Sequence, residues 1–515
     1  MARTPLVAQL QDAASAAAEA HETGRPIDEV LERRAITRRR FLRDAGAGAA
    51  VVAGATAFGR FASPARAAAS PEIVVVGAGL AGLTCAYRLL QAGLNPQVYE
   101  ASDRVGGRCW TLRNYFAGGQ IAEHGGELID TGHHAIRNLA QELKLKLDNL
   151  LRAEQNGTEP FYFFDGEPYT ILEASQDMNG IWQKLHRDVS QASFPTLFDS
   201  FTQRGYELDH MSIVDWIEES VPGGMASKLG RLLAVAYTIE YGADPDEQAS
   251  LNLLYLLGYA GQGKFRIFGA SNEKYHVREG NDQIPQILDA KLGSQVNLEH
   301  ELVAIELSGG RYTLTFDTGS VTADHVVLAL PFSILRSSVD FSNAGFKPLK
   351  VTAINEQGMG SNSKLHLQFS TRLWNALGCN GDTYADTGYQ ATWEVTRAQP
   401  GGHGVLVDYT GGSVADAPPS SGQFLSQLEP VLDGITDEWN GLEHLDVWRD
   451  YEWTKGSYSF YKVGQYTKFA GMEGRRQGNC HFAGEHAASQ DFQGYLNGAV
   501  ESGERAAGEI LADLK

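Results

Sequence analysis

The sequence predicts an α/β protein of more than one domain, with a βαβ unit at the start of its parallel sheet. At 515 residues the chain is longer than one hydrophobic core usually serves. The run 72–76 is a short β-branched stretch that ends at a glycine, as buried parallel strands often do. Residues 83–91 then have helical spacing, and residues 97–100 are typical of a second strand. Strand, glycine-rich turn, helix and strand in this order predict a Rossmann-like domain.

The turn after the first strand has the spacing GxGxxG, formed by Gly77, Gly79 and Gly82, with Ala81 inside it. Gly77 permits a tight turn, Gly79 lets the backbone approach a pyrophosphate, and Gly82 lets the helix pack closely on the strand. The phosphates would lie at the helix N-terminus, where free N–H groups favour negative charge. Glu100 ends the second strand, where a carboxylate accepts hydrogen bonds from ribose hydroxyls. An acid at that position argues against a 2′-phosphate, so the motif predicts a dinucleotide.

Charge and cysteine usage exclude several classes of protein. The chain has 43 Lys and Arg against 63 Asp and Glu, a net charge of −20, which argues against nucleic acid or an anionic membrane as a partner. The four cysteines lie far apart without a CxxC, and no ligand spacing joins them to the 14 histidines. We therefore expect no metal. Cys85 falls within the first helix pattern and is predicted to be a core residue.

Residues 1–69 have the features of a leader. Residues 37–43 resemble the twin-arginine export motif, and the Ala/Gly-rich run 45–57 that follows is too short for a spanning helix. Small residues at 63–69 suit a signal peptidase. The alternative is a surface helix with a basic start, but its glycines would each cost a helix roughly 1 kcal/mol. We expect the twin-arginine machinery to export the protein to the periplasm or the medium.

Residues 104–108 resemble the second glycine motif of the flavin-containing monoamine oxidase family, and the resemblance extends over nearly everything after Pro71. Further matching blocks lie at 123–127, 301–305, 324–331, 482–486 and 491–499. The resemblance implies FAD and a discontinuous FAD-binding domain with an inserted α+β substrate-binding domain. The implied FAD-binding segments are 70–130, 280–340 and 460–515, and the implied substrate-binding segments are 131–279 and 341–459.

The resemblance also implies which residues contact FAD. Gly107 and Arg108 would face the phosphates or the flavin edge, and Gly126 and Glu127 would pass the flavin ring. The remaining implied contacts are the Val303 backbone on the adenine side, Gly484 and Glu485 at the ribityl or pyrophosphate region, and the Leu496 amide at the flavin pyrimidine carbonyl.

In this family the substrate α-carbon gives up hydride equivalents to flavin N5, and water hydrolyses the resulting imine. Lys364, on a strand that places it on one face with His366 and Gln368, matches the family lysine that holds a water against N5 and assists reoxidation by O2. The alternative is a lysine at a strand edge that points into solvent. Tyr458 and Tyr495 match the two tyrosines of the family's aromatic cage, which guide an amine nitrogen to the flavin.

Two departures from the pattern are informative. Ser457 occupies the position where animal monoamine oxidases attach the flavin to a cysteine, so the resemblance implies non-covalent FAD. The arginine that L-amino acid oxidases usually place after the flavin-passing glycines is absent, which favours an amine over an amino acid. Other residues keep alternatives open: a carboxylate clamp from Arg266, Arg278 or Arg397, or a second ammonium of a polyamine held by Glu127, Glu240, Glu273 or Glu394.

Two further classes of function stay open at this point. One is an FAD-dependent desaturase or porphyrinogen oxidase, whose apolar substrates do not require the cage. The other is a flavin-bearing binding or electron-transfer protein without turnover. For the assembly, the sequence allows a homodimer.

Overall fold

The first predicted strand, Ile73–Val76, is the middle strand of a five-stranded parallel sheet. The computed structural model describes residues 71–258 and 271–515, so the predictions for the leader and for Arg266 fall outside the described residues. All four residues of this strand are buried, as expected for a strand covered on both faces. In their spatial order, the strands of the parallel sheet are Cys480–Phe482, His325–Leu328, Ile73–Val76, Gln97–Tyr99 and Val296–Asn297.

Helices that pack on one another around the first helix bury the apolar residues on one face of the parallel sheet. Cys85 lies in the first helix and is wholly buried, which confirms it as a core residue. Val75, Val98 and Val327 contribute to the same core from three neighbouring strands. The helices of this layer are Leu80–Gln91, His134–Glu142, Gln283–Leu292 and Leu496–Asp513.

The first helix begins three residues earlier than the sequence pattern predicts, at Leu80 instead of Leu83. Gly79 is its N-cap residue and has an extended backbone, so the last part of the glycine motif already forms the first helical turn. Hydropathy periodicity cannot reveal this start, because a turn rich in glycine and alanine has no apolar stripe. The glycine motif therefore places its backbone N–H groups directly at the helix N-terminus.

A seven-stranded mixed sheet forms the second layer. Lys364 lies on the strand Asn362–Phe369, which is paired on both sides and wholly buried, so the alternative of a lysine at a strand edge is wrong. In spatial order the strands are Trp439–Val447, Asn362–Phe369, Gly404–Gly411, Ala391–Glu394, Cys379–Ala385, Glu159–Phe164 and Glu167–Tyr169. The pair formed by Cys379–Ala385 and Glu159–Phe164 is parallel, and the other pairs are antiparallel.

Smaller elements complete the described part of the chain. An antiparallel three-stranded sheet consists of Leu302–Ser308, Arg311–Phe316 and Gly319–Ala323. Two-stranded sheets pair Thr111–Leu112 with Ala122–Glu123, Leu147–Asn149 with Tyr275–Val277, and Gly358–Met359 with Ser459–Phe460. The longer of the other α-helices are Ile171–Ala192, Gln203–Asp209, Ile213–Ser220, Lys228–Tyr241, Ser250–Leu257, Phe332–Ser338, Pro348–Glu356 and Ser421–Leu428. Short helices lie at Leu150–Ala153, Leu373–Ala376, Gly412–Asp416, Ile435–Glu438 and Gln465–Phe469.

Segments that contribute strands to the parallel sheet alternate along the chain with segments that contribute strands to the seven-stranded sheet. The parallel sheet draws its strands from the segments 70–130, 280–340 and 460–515, and the seven-stranded sheet draws its strands from 131–279 and 341–459. The domain boundaries themselves stay a prediction. Within residues 71–258 and 271–515, no helix combines the length and the apolar character that a bilayer crossing requires.

Candidate active site

The three glycines of the fingerprint have the geometry that a phosphate cradle needs. Gly77 has a positive φ of 102°, and its N–H donates to the Tyr99 carbonyl at 2.7 Å, which fixes the turn between two strands. A Cβ at Gly82 would lie 1.9 Å from the Gly77 carbonyl oxygen, so helix and strand touch there through backbone alone. A Cβ at Gly79 would meet no protein atom within 4 Å. The open space therefore lies beside the helix N-terminus, where a pyrophosphate would bind.

Glu100 reaches back to this turn from the end of the second strand. Its carboxylate accepts hydrogen bonds from the Ala78 N–H at 2.6 Å and from the Ser102 hydroxyl at 2.8 Å. A carboxylate has about four lone-pair positions, so acceptor capacity remains for ribose hydroxyls. The bonds to Ala78 and Ser102 fix the orientation of the Glu100 carboxylate.

Arg108 and Glu485 connect two distant parts of the chain. The guanidinium of Arg108 donates to the Glu485 carboxylate at 2.9 Å and to the Ser457 carbonyl at 2.6 Å. Burial acts to raise the pKa of Glu485, but the charge of Arg108 and the Ser459 hydroxyl outweigh it, and the pKa is lowered. Glu485 is therefore an anion that holds Arg108 and the segment before Tyr458 in place.

The other residues predicted to contact the cofactor, with the exception of Val303, lie close to the glycine turn or to the Arg108–Glu485 pair. Gly107 lies beside Gly79, and a Cβ at Gly126 would overlap the side chain of Leu496, which begins the helix Leu496–Asp513 as predicted. Gly484 has a φ of 131° and exchanges hydrogen bonds with the Ser502 hydroxyl. Val303 differs, because it is skipped in the strand register and its carbonyl accepts from the Asp340 N–H.

Together these residues fit a bound FAD. They provide open space at a helix N-terminus, an oriented acid at the end of the second strand, and an Arg108–Glu485 pair. The residues that would hold FAD are Gly77, Gly79, Gly107 and Glu100 at the adenosine and phosphate end, and Arg108, Gly126, Glu485 and Leu496 at the flavin end.

Lys364 is buried in an ion pair. Its ammonium lies 2.7 Å from the Glu127 carboxylate and donates to the carbonyls of Glu123 at 2.9 Å and Gly125 at 3.1 Å. An ammonium has three donors, and these three bonds engage all of them. The Trp393 indole N–H donates to the other oxygen of Glu127 at 3.1 Å. The predicted role of holding a water would require Lys364 to release one of these bonds, so that role stays a prediction.

The two cage tyrosines are anchored at consecutive residues of one helix. The Tyr458 hydroxyl donates to the Ile239 carbonyl at 2.8 Å, and the Tyr495 hydroxyl donates to the Glu240 carboxylate at 3.1 Å. Both anchors belong to the last turn of the helix Lys228–Tyr241. The Tyr409 hydroxyl is hydrogen-bonded to the Tyr458 hydroxyl at 2.8 Å. The helix end therefore sets the positions of both tyrosines at once.

Glu240 is the carboxylate beside the cage. Burial, together with the charge of Asp130, raises its pKa to about 8, although the hydrogen bond from Tyr495 opposes the shift. Glu273, whose side chain is exposed, has Asp130 and Glu240 as acidic neighbours. These acids lie in one region of the fold, where a cationic ligand would compensate their charge.

The structure assigns other partners to the remaining candidates. Arg278 is bound to Asp148, and Arg397 is bound to Asp382. Glu394 forms an ion pair with Arg372 and accepts from the Trp374 N–H. These residues are therefore engaged with the protein itself.

Sequence reasoning missed Tyr409 and Trp393. Tyr409 is the register partner of Lys364, and Ala391 is the register partner of Tyr409 across the next strand pair. The rings of Trp393 and Tyr409 meet edge to face, 4.9 Å apart. Both residues follow the alternation of their strands, which the sequence shows. Only the order of the strands in the sheet reveals that both lie on the sheet face that carries Lys364.

The site thus combines a phosphate cradle, a buried lysine and two tyrosines that are anchored on one helix end. Residues 80–511 match the family model described as flavin containing amine oxidoreductase, so the chain belongs to that family and is an FAD-dependent amine oxidoreductase.

Known proteins resemble this chain over most of its length. A protein of Mycobacterium tuberculosis named as flavin-containing monoamine oxidase AofH is 28% identical over 86% of this chain and 97% of its own. An L-amino acid dehydrogenase of Synechocystis is 24% identical over 86% of this chain and 96% of its own. The structure of putrescine oxidase bound to putrescine superposes with a TM-score of 0.74 at 22% identity, over 86% of this chain and 99% of that chain. That likeness shows the fold, which confirms the predicted fold class.

We expect the same substitution to have different effects at three glycines. Gly82→Ala should destabilise the protein by about 1–3 kcal/mol, as overpacking does, because the new methyl overlaps the Gly77 carbonyl. Gly79→Ala should leave the unfolding temperature of the apoprotein unchanged but lower the flavin bound per protein, because its methyl enters the open space at the helix N-terminus. Gly180→Ala, in an open position within a helix, should stabilise by about 1 kcal/mol and serves as the control.

Flavin absorbance per protein and thermal unfolding of the apoprotein measure the two effects. Full flavin occupancy in the Gly79→Ala variant would show that the cofactor does not pass this glycine.

Proposed function

We propose that the protein catalyses the oxidative deamination of a cationic primary amine, with O2 as electron acceptor and H2O2 as product. The observation that supports this most is the placement of Tyr458 and Tyr495 on the end of one helix beside Glu240. Aromatic faces and a carboxylate are the groups that attract an ammonium. Bound FAD would supply the acceptor for the electron pair that leaves the amine.

The chain's own residues would bind and orient the substrate. The faces of the two tyrosine rings would direct the nitrogen, and Glu240 would compensate its positive charge. The bonds of Lys364 to the carbonyls of Glu123 and Gly125 would hold the loop that carries Gly126 next to the cofactor.

An amino acid substrate is the runner-up, and the partners of the arginines count against it. An L-amino acid needs a cation for its carboxylate. Of the three candidate arginines, Arg278 and Arg397 are already bound to Asp148 and Asp382, and Arg266 lies outside the described residues. Glu240 would also repel a carboxylate at a pH where it is ionised. A diamine is the second candidate, because Glu240 and Glu273 lie in one region of the fold and two ammonium groups could compensate two carboxylates.

A substrate panel with peroxide detection tests this proposal. We expect turnover with phenethylamine, butylamine and 1,4-diaminobutane, and much weaker turnover with L-phenylalanine and L-leucine. Buffer without substrate and heat-denatured enzyme are the controls. An L-phenylalanine signal larger than the phenethylamine signal would reverse the preference for an amine, and reduction of the flavin without peroxide would exclude O2 as the acceptor.

The effect of Glu240 should depend on pH. Because its pKa is raised to about 8, Glu240 is ionised near pH 9 and neutral near pH 6. Glu240→Gln should therefore lower kcat/KM for a cationic amine by about tenfold near pH 9, the loss of one charge-assisted hydrogen bond, and have little effect near pH 6. Gln can still accept from Tyr495, and exposed Glu452→Gln is the matched control. A loss of equal size at both pH values would assign Glu240 a structural role only.

Lys364 is proposed to assist reoxidation by O2 through its positive charge. Lys364→Met should slow reoxidation roughly 10²-fold, within the range for a positioned catalytic group, but it also leaves Glu127 buried without a cation, at a cost of about 3–5 kcal/mol. The double variant Lys364→Met with Glu127→Gln removes both charges and should recover stability while reoxidation stays slow. Stopped-flow mixing of reduced enzyme with O2 measures the rate. Wild-type reoxidation in the double variant would remove this role from Lys364.

We propose that FAD is bound non-covalently. Ser457 cannot form a thioether, and its hydroxyl donates to the Asn362 side chain at 2.5 Å. Acid precipitation should therefore release all of the FAD into the supernatant. Yellow colour that stays with the precipitate would contradict this.

We also propose export through the twin-arginine pathway. The support is the motif at residues 37–43 and the small residues at 63–69. That pathway carries folded proteins, which suits a protein that loads its cofactor before export.

A further inference from the structure

Two histidines and an aspartate from distant parts of the chain converge outside the residues assigned to cofactor and substrate. The His124 Nδ1 lies 2.8 Å from an oxygen of Asp446 and 3.2 Å from the His444 Nε2. The His444 Nε2 lies 3.4 Å from the other Asp446 oxygen. His124 belongs to the loop after the strand Ala122–Glu123, and the other two residues belong to the strand Trp439–Val447.

Hydrogen bonds alone do not account for this arrangement. If His124 Nδ1 carries a proton, it can donate to Asp446, but a bare His444 Nε2 then faces the second carboxylate oxygen. If both nitrogens carry protons, two donors face each other at 3.2 Å. That second Asp446 oxygen is buried without a hydrogen-bond partner among the described residues. While Asp446 is ionised, no placement of protons on the two imidazoles makes all three contacts favourable, whereas a cation between them would accept a lone pair from each.

The distances suit a small divalent transition metal. Ligand bonds of about 2.0–2.1 Å at tetrahedral angles place the ligand atoms about 3.3 Å apart. The two imidazole nitrogens lie 3.2 Å apart, and each lies near a different oxygen of Asp446, at 2.8 Å from His124 and 3.4 Å from His444. Two imidazoles and a carboxylate are a ligand set that Zn²⁺ accepts, with a fourth position left for water. His444 is 27% exposed and Asp446 15%, so a hydrated ion can reach them.

The surroundings hold the ligands in place. The Trp110 ring stacks on the His124 ring at 3.7 Å, and the Trp448 indole N–H donates to the His124 carbonyl at 2.8 Å. His366, the register partner of His444, is wholly buried, and neither of its ring nitrogens has a hydrogen-bond partner in the described ranges. It is a further imidazole on the same sheet face.

We propose that His124, His444 and Asp446 form a binding site for a divalent transition metal of the zinc class. The ion would tie the loop that follows Glu123 to the edge strand Trp439–Val447. The carbonyls of Glu123 and Gly125 in this loop hold Lys364, whose register partner is Asp446. The site thus has a positioning role and goes beyond the proposed oxidase activity. This site differs from the expectation of no metal. Its two histidines are 320 positions apart, so no local spacing of ligands predicts it.

A second group of residues provides an internal comparison. His325, His481 and Asp513 also bring ligand atoms within 4.8 Å of one another. There, however, Arg476 already pairs with Asp513, and Glu509 binds the other nitrogen of His481 at 2.7 Å. The nearby guanidinium makes that group less suited to a cation.

Calorimetric titration of the chelator-treated holoenzyme with ZnCl₂ tests the site. We expect one Zn²⁺ per chain and a rise in the unfolding temperature with Zn²⁺. Asp446→Asn keeps the shape and an acceptor for His124, and it should weaken Zn²⁺ at least about tenfold, the loss that even an outer-shell partner causes. His444→Ala should abolish binding. His325→Ala and exposed His210→Ala are the controls and should bind Zn²⁺ like the wild type.

The variants show where on the protein the Zn²⁺ ion binds. Zn²⁺ binding unchanged in both Asp446→Asn and His444→Ala, or lost only in His325→Ala, would overturn the proposal, as would the absence of a Zn²⁺ signal in the wild type. Circular dichroism confirms that each variant is folded. If His444→Ala does not fold, the near-isosteric Asp446→Asn variant decides the question.

Discussion

The buried ion pair between Lys364 and Glu127 is the interaction on which the site depends. Lys364 lies on the strand Asn362–Phe369 of the seven-stranded sheet, and Glu127 lies in the loop that follows the strand Ala122–Glu123. A buried ammonium is tolerated only when charge and hydrogen bonds compensate the loss of water, and here one carboxylate and two carbonyls do so. The pair therefore fixes the loop against the second sheet, and with it the backbone that faces the cofactor.

A second pair works in the same way at the other end of the site. Arg108 comes from the glycine-rich segment after the second strand, and Glu485 comes from the end of the chain. The Arg108 guanidinium also binds the carbonyl directly before Tyr458. The position of Tyr458 thus depends on the ion pair between Arg108 and Glu485, two residues predicted to bind the cofactor. The residues predicted to face the substrate and those predicted to face the cofactor are coupled because the same short segments carry both.

The sequence was informative where function depends on local backbone. The glycine fingerprint and the acid at the end of the second strand depend on neighbours within a few residues, so their spacing predicts their geometry. The helix start at Leu496 was implied by the family resemblance. Tyr409, Trp393 and His444 depend on strand register between segments far apart, which a single sequence does not reveal. Val303 shows a third case, since a β-bulge moves it out of the ladder, and a bulge has no residue pattern of its own here. The partners of Lys364 were also beyond prediction, because they sit more than 230 positions away.

The raised pKa of Glu240 explains how the site could select a cationic ligand and still be stable when no ligand is bound. An ionised Glu240 would be poorly hydrated and would be repelled by Asp130, and its raised pKa means that a proton relieves this cost. An entering ammonium reverses the balance, because a nearby cation favours the ionised form of the acid. The affinity for a cation then includes the release of a proton, whereas a neutral or anionic ligand gains nothing from it. Selectivity for amines would thus have its origin in burial. Burial raises the pKa of the acid, and the positive charge of the bound amine lowers that pKa again.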